Sequence, residues 1–188
     1  MTEDSPDHDA LLAVQARQGD RRAFTELMGR LKHPLYRFVR RYIGNDDDAS
    51  DIVQETFIAA WGALRRYDEQ RPFATWLRAI ALNKCRDHGR RQAVRARLRS
   101  FITMLTPLQE EPVMEGQDAE AERLQKLDAA ISSLPAFYKE PLLLTAISGL
   151  SQKEAAIQLK TTPKAVEMRV RRARQQLQDL LGEDDVEI

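Results

Sequence analysis

Only one cysteine, Cys85, occurs in 188 residues. A disulfide framework is therefore excluded, and a reducing compartment is the natural setting. Glycine and proline number eight each, few for a loop-rich or all-β chain, and aromatics make up 6%. Any core must rest mainly on Leu, Ile, Val and Ala. No apolar run approaches the roughly 20 residues a membrane span needs, so membrane insertion is not expected. The opening, Met1 to Ala10, is acidic and has no apolar stretch of the secretory kind. An excess of one charge is also missing, because 29 Lys and Arg balance 29 Asp and Glu.

That balance hides a sorting. Glu3, Asp4, Asp7 and Asp9 make an acidic start, and Asp46, Asp47, Asp48, Asp51 and Glu55 a second acidic patch. Arg86, Arg90, Arg91, Arg95, Arg97 and Arg99 form a basic block, followed by Glu110, Glu111, Glu115, Asp118, Glu120 and Glu122. Lys164, Arg169, Arg171, Arg172 and Arg174 form the last basic block, before the tail Glu183, Asp184, Asp185 and Glu187. Two separate basic surfaces in a neutral chain suggest two contacts on one polyanion; the plainer alternative is a set of solvated helix faces.

The apolar residues recur at helical spacing nearly everywhere, and no stretch alternates strictly enough for a strand. The expected fold class is all-α, with two small helical domains on a flexible linker. Phe24, Leu27, Met28 and Leu31 give one stripe, and Leu35, Phe38, Val39 and Tyr42 continue on the next segment, after Pro34. Gly44 and Asn45 end that helix. Asp46 to Asp48 open the next, where carboxylates complement the helix dipole. Its stripe is Ile52, Val53, Thr56, Phe57, Ala60, Trp61 and Leu64. Asp68 to Arg71 reads as a loop, and Pro72 suits a first helical turn. The next buried face is Phe73, Trp76, Leu77, Ile80 and Ala81.

The pattern degrades from about Ala93. The expected division is a first domain over 1–95, a tether over 96–122, a second domain over 123–181 and an acidic tail over 182–188. In the second domain Leu124, Leu127, Ile131 and Leu134 share a face, and Pro135 closes it. Tyr138, Leu142, Leu143 and Ile147 form the next face, up to Gly149.

Ser151-Gln152-Lys153-Glu154 is a capping box. After Lys160 and Thr161, Thr162 can cap and Pro163 can start a last helix. Val166, Val170, Ala173, Leu177 and Leu180 place its apolar stripe. A short capped helix, a tight turn and a longer basic helix make a helix-turn-helix, and a major groove admits one such helix. The outward face carries Lys164, Glu167, Met168, Arg171, Arg172 and Gln175. Arg171 or Arg172 can grip guanine, Glu167 can accept from cytosine, and Met168 can touch a thymine methyl. Arg174 and Lys153 suit phosphates. A basic amphipathic helix packed on a partner protein is the alternative.

Two motifs in order carry a resemblance to a known family. One is DASDIVQETFIAAW at 48–61 followed by RPFATWLRAIALN at 71–83. The other is Leu134-Pro135, then GLSQKEAA at 149–156 and AVEMRVRRARQQL at 165–177. The chain resembles the extracytoplasmic-function (ECF) sigma factors of bacteria, which carry only regions two and four. The resemblance implies that Asp48, Asp51, Gln54 and Glu55 dock on core RNA polymerase. It implies that Arg71, Trp76, Asn83, Lys84, Arg86, Asp87, Arg90 and Arg91 handle the minus-ten element, with the loop Asp68-Glu69-Gln70-Arg71 helping to form a base pocket. The helix-turn-helix, with Lys153, Lys164, Glu167, Met168, Arg171, Arg172 and Arg174, would read the minus-thirty-five element. The implied partners are core RNA polymerase, promoter DNA and an anti-sigma factor, with no stable homo-oligomer.

Some residues depart from the pattern. Lys160 stands where many such turns have Gly, Ala165 replaces a commoner Thr, and Glu167 occupies an often basic position. Cys85 and His88 lie three apart on one face, and a lone pair is weak as a metal or redox site. No cofactor or metal is expected, and no nucleophile, base and orienter cluster suggests an enzyme. Two rivals are an adaptor that sequesters an anti-sigma factor without touching promoters, and a stand-alone repressor. The latter usually dimerises on paired half-sites, and no extended heptad seam is visible here.

Overall fold

Asp20 and Asn45 set the helix starts in the first part of the chain. Asp20 accepts from the backbone N–H groups of Arg22 and Ala23 at 2.8 and 3.3 Å and so opens α2 (Arg21–Ile43). Gly44, at φ +83°, closes α2 in the left-handed conformation, and Asn45 at once caps α3 (Asp46–Ala63) through the N–H of Asp48 at 2.9 Å. The computed structural model describes residues 6–103 and 119–182, with side chains over 8–96 and 123–182. All of its described regular structure is helical, as expected, and it divides into two units between Cys85 and Arg86.

The first unit begins with α1 (Pro6–Arg17), a helix that the apolar pattern had not marked. Leu12, Ala13 and Ala16 are buried, and α1 packs on α2. Two contacts fasten it there: the largely buried ion pair of Arg30 with Asp9 at 2.7 Å, and a hydrogen bond between His8 and Glu26 at 3.0 Å. A 3₁₀ turn (Leu64–Arg66) follows α3, and α4 (Phe73–Thr103) follows a short loop. Phe24, Leu27, Leu35, Phe38, Val39, Ile52, Val53, Phe57, Phe73 and Leu77 fill the core.

Three local readings change. Pro34 does not break α2. It removes one hydrogen bond, but buried residues on both sides of it hold the helix through. Pro72 stands just before α4 and accepts from the N–H groups of Thr75 and Trp76, so it is the boundary residue and not the first helical one. The expected tether over 96–122 falls mostly outside the described residues. Its two ends are helical, because α4 runs on to Thr103 and α5 begins at Ala119.

In the second unit α5 (Ala119–Ser133) leads to α6 (Ala136–Leu142) and a π-helical turn (Leu143–Ile147). Then come α7 (Gln152–Leu159) and α8 (Pro163–Leu181), with α5, α6 and α7 all packed on α8. Ile131, Leu142, Leu143, Leu144, Val166, Ala173 and Leu177 are buried. Leu124 and Leu180, expected on apolar stripes, are instead 50% and 60% exposed, each beyond the reach of the short core. The capping box at Ser151 and Glu154 is complete, and the Ser151 hydroxyl and N–H hold the Glu154 carboxyl below its usual range. A depressed carboxylate stabilises the fold above its unfolded value, and that contribution fades as pH falls through the folded one.

Lys160 ends α7 at φ 53° and ψ 50°. It takes up the left-handed geometry that glycine adopts without a Cβ penalty, so the turn keeps its form and absorbs the strain. We expect Lys160→Gly to stabilise the second unit by about 1 kcal/mol, read as a higher urea midpoint at unchanged slope. No gain would mean that other contacts of Lys160 offset the backbone cost.

Candidate nucleic-acid interface

On α3 the 100° step per residue puts Asp51, Gln54 and Glu55 on one face, opposite Ile52, Val53 and Phe57. All three are exposed, while Asp48 is half-buried at the capped end. The sequence pattern missed that this face has an apolar continuation. Ile58 is 66% exposed, and Trp61, placed on the buried stripe, is 39% exposed with its ring against Phe24 at 4.9 Å. One signal was legible: Ile58 falls at i+3 and i+4 from Glu55 and Gln54. The start of α3 is fixed by Asp46, which accepts from Tyr36 at 2.7 Å and Arg40 at 2.5 Å. These donors hold the Asp46 carboxyl below its ordinary range.

Between α3 and α4, Tyr67 is the anchor, and it too escaped the sequence pattern. It is buried, and its ring meets Phe73 at 5.2 Å and Trp76 at 5.3 Å. Its hydroxyl donates to the Arg71 carbonyl at 2.6 Å, closing the loop 68–71. Burial, with Glu69, Asp68 and Asp9 adding, pushes the Tyr67 hydroxyl above its usual value, so it stays a donor. Asp68 accepts from the N–H of Gln70 at 3.1 Å and pairs with the exposed Arg71 at 3.5 Å. Trp76 is half-buried in the Tyr67–Phe73 cluster, so it is a supporting aromatic with one accessible side.

Along α4, Asn83 is exposed and Asp87, one turn on, is half-buried. Lys84 reaches Glu55 of α3 at 2.9 Å, so a residue expected at DNA is joined to one expected at polymerase. Asp87 pairs with Arg90 of its own helix. Arg91 is exposed. Arg86, in the second unit, holds Glu140 through Nε at 2.7 Å and Nη2 at 2.5 Å. Cys85 is fully buried, and no group of three or more metal-ligating side chains occurs among the described residues.

In the second unit the helix-turn-helix forms as the sequence implies. Thr162 caps α8 through the N–H of Ala165 at 3.2 Å, with Pro163 in the first turn. Val166, Ala173 and Leu177 point inward and are fully buried. Lys164, Glu167, Met168, Arg171, Arg172, Arg174 and Gln175 are exposed on α8, and Lys153 is exposed on α7. Lys164 pairs with Glu167 at 3.0 Å. Arg169, left without a role in the sequence, lies over the Phe137 ring at 3.9 Å, a cation–π contact. Phe137, Met168, Arg171, Arg172 and Gln175 line an open groove on the exposed side of α8.

Comparison with known proteins agrees with this arrangement. Residues 27–95 match the Sigma-70 region 2 family, and residues 124–177 match the Sigma-70, region 4 family. The chain is 40% identical to the RNA polymerase sigma factor CnrH of Cupriavidus metallidurans, over 95% of this chain and 96% of CnrH. It is 32% identical to the ECF RNA polymerase sigma factor SigD of Mycobacterium tuberculosis, over 91% of this chain and 82% of SigD. The structure of CnrH in complex with the cytosolic domain of CnrY matches with a TM-score of 0.69 at 36% identity, covering 94% of this chain and 98% of that one. The sigma factor RpoE in complex with the anti-sigma factor NepR, from Bartonella quintana, matches with a TM-score of 0.68 at 26% identity, covering 86% and 98%. Both matched regions in chain order, and relatives over 30% identical across nearly the whole chain, place it in the ECF RNA polymerase sigma factor family.

Proposed function

We propose that this chain is a dissociable promoter-specificity subunit with no catalytic chemistry of its own, acting in the cytoplasm on core RNA polymerase. The observation that carries the reading is the pair of matched regions, each with its expected face open. The working division is 1–95 for polymerase and the minus-ten element, 96–122 as connection and 123–181 for the minus-thirty-five element. Among the described residues no helix is long and apolar enough to cross a membrane.

Each face has a task suited to its chemistry. Asp51, Gln54 and Glu55, flanked by half-buried Asp48, offer polar contacts to the polymerase, and Ile58 and Trp61 add apolar area beside them. The loop 68–71, Trp76, Asn83 and Asp87 hold unpaired bases of the minus-ten strand, while Lys84, Arg90 and Arg91 track its phosphates; Arg86 is instead occupied by Glu140. On α8 the reach of Arg171, Arg172, Glu167 and Met168 fits base edges in a major groove, with Lys153, Lys164 and Arg174 on phosphates. RpoE, solved with the anti-sigma factor NepR, supports an anti-sigma partner for this chain as well.

The deciding experiment is transcription in vitro with purified core polymerase on a promoter library. Initiation from a defined promoter class is expected. Inactivity combined with tight binding of an anti-sigma protein would instead support the adaptor. Arg172→Ala is expected to weaken use of the upstream element by about 1–3 kcal/mol, read as promoter strength across base variants. Unchanged preference would remove Arg172 from the readers. Asp51→Arg, on an exposed position, is expected to impair holoenzyme assembly while leaving the thermal midpoint within a few degrees. Normal assembly in a binding titration would count against the α3 face.

A further inference from the structure

We propose that Arg17, at the end of α1, is a positioning residue for the loop 68–71 and through it sets base preference within the minus-ten element. The inference rests on the reading of that loop as a base pocket. It concerns a helix that lies outside the matched family region, which begins at residue 27.

The geometry is a short chain of contacts. Arg17 forms an ion pair with Glu69, in the middle of the loop. Its backbone is held on both sides. Upstream, Leu12, Ala13 and Ala16 bury α1 against α2, and the largely buried Arg30–Asp9 pair clamps it at 2.7 Å. Downstream, Gly19 at φ +102° turns the chain and Asp20 caps α2. The helix also packs on the 3₁₀ turn that precedes the loop. At the far side, Tyr67 donates to the Arg71 carbonyl and Asp68 accepts from the Gln70 N–H. The loop is thus pinned at its start and its end by its own residues. Glu69, at its middle, is held by a residue more than fifty positions upstream.

A pocket for an unpaired base gains selectivity when its walls are set before the base arrives, because ordering a loop on binding costs part of the interaction. Asp68, Gln70 and Arg71 carry the groups that can meet a base. Glu69 fixes their outline only while something holds Glu69. The pair is partly solvent-exposed, 37% and 44% for the two side chains, so its effect is modest.

The test uses the full chain in holoenzyme with core polymerase, on promoters carrying all four bases at each minus-ten position. Arg17→Ala and Arg17→Glu are expected to flatten the preference at one position by about two- to fivefold. Upstream-element preference, core affinity and thermal midpoint should stay as in the parent, and Arg17→Lys, which keeps the charge, should restore the preference. Unchanged preference in Arg17→Ala would overturn the inference. So would a uniform loss at all positions with a lowered midpoint, which marks a merely structural helix. Asp68→Ala and Arg71→Ala run beside these. If they leave minus-ten preference untouched, the base-pocket reading falls and this inference with it. If they change it while Arg17 does not, only the role of Arg17 is lost.

Discussion

Small helical units have little apolar surface, so each helix must bury one face completely to leave the other free for a partner. Everything in this chain follows from that one-sidedness. On α8 Val166, Ala173 and Leu177 are fully buried, and Lys164, Met168, Arg171 and Arg172 stand on the opposite side. On α3 Ala49, Ile52, Val53, Phe57 and Ala60 face the core while Asp51, Gln54 and Ile58 face out. The caps matter for the same reason. Asn45 and Thr162 fix where each helix begins, and the buried apolar stripe fixes which residues of the 3.6 repeat turn outward. A shift of one residue would rotate each face by about 100°.

A second consequence concerns charge. Several cations expected at DNA already hold a carboxylate: Arg71 with Asp68, Lys84 with Glu55, Arg90 with Asp87, and Lys164 with Glu167. This is the neutral net charge seen at atomic scale. Exposed pairs of this kind are worth at most about 1 kcal/mol each, so a phosphate can take the place of the carboxylate. The exchange still subtracts from DNA affinity in the free protein. It also has a useful geometry at Lys84. On the proposed function, a polymerase that engages Glu55 competes for the partner of Lys84 and leaves the cation available to the strand. Arg171 and Arg172, exposed on α8, are the guanidinium groups that the proposed function assigns to base recognition.

Much of this was legible in the residues. The all-α class, the end of α2 at Gly44, the capping box at Ser151, the cap at Thr162 and the reading face of α8 all follow from local rules, because a cap or a helical repeat is specified within a few residues. Other features depend on contacts far apart in sequence. The helix α1 is short, and its anchoring comes from Arg30 and Glu26 of α2 together with the burial of Leu12, Ala13 and Ala16. Continuity through Pro34 needs the packing on both sides of it. Trp61 looks like core by spacing, but it lies near the end of α3, where the unit covers only part of its ring. Tyr67 carried no expectation, since nothing local announces its bond to the Arg71 carbonyl. In the helix-turn-helix the exposed face coincides with regular structure and was readable. Around the loop 68–71 the site is irregular, and its form is dictated by tertiary partners.

On the proposed function, the two DNA-facing sites solve recognition in different ways. A helix in a major groove is rigid by its own hydrogen bonds, so α8 needs only a buried back and a fixed start to hold its side chains at base edges. A pocket for an unpaired base has no such internal scaffold, and each backbone group in the loop must find its partner elsewhere. That is the physical reason for the density of contacts around residues 67–71: the aromatic cluster of Tyr67, Phe73 and Trp76, the Tyr67 hydroxyl on a carbonyl, the Asp68 carboxylate on an N–H. Since the strand must be unpaired to be read there, the cost of opening it is recovered only from contacts that form without further ordering of the protein. A loop held in advance satisfies that condition, and the contacts that hold it are then as much a part of recognition as the groups that touch the base.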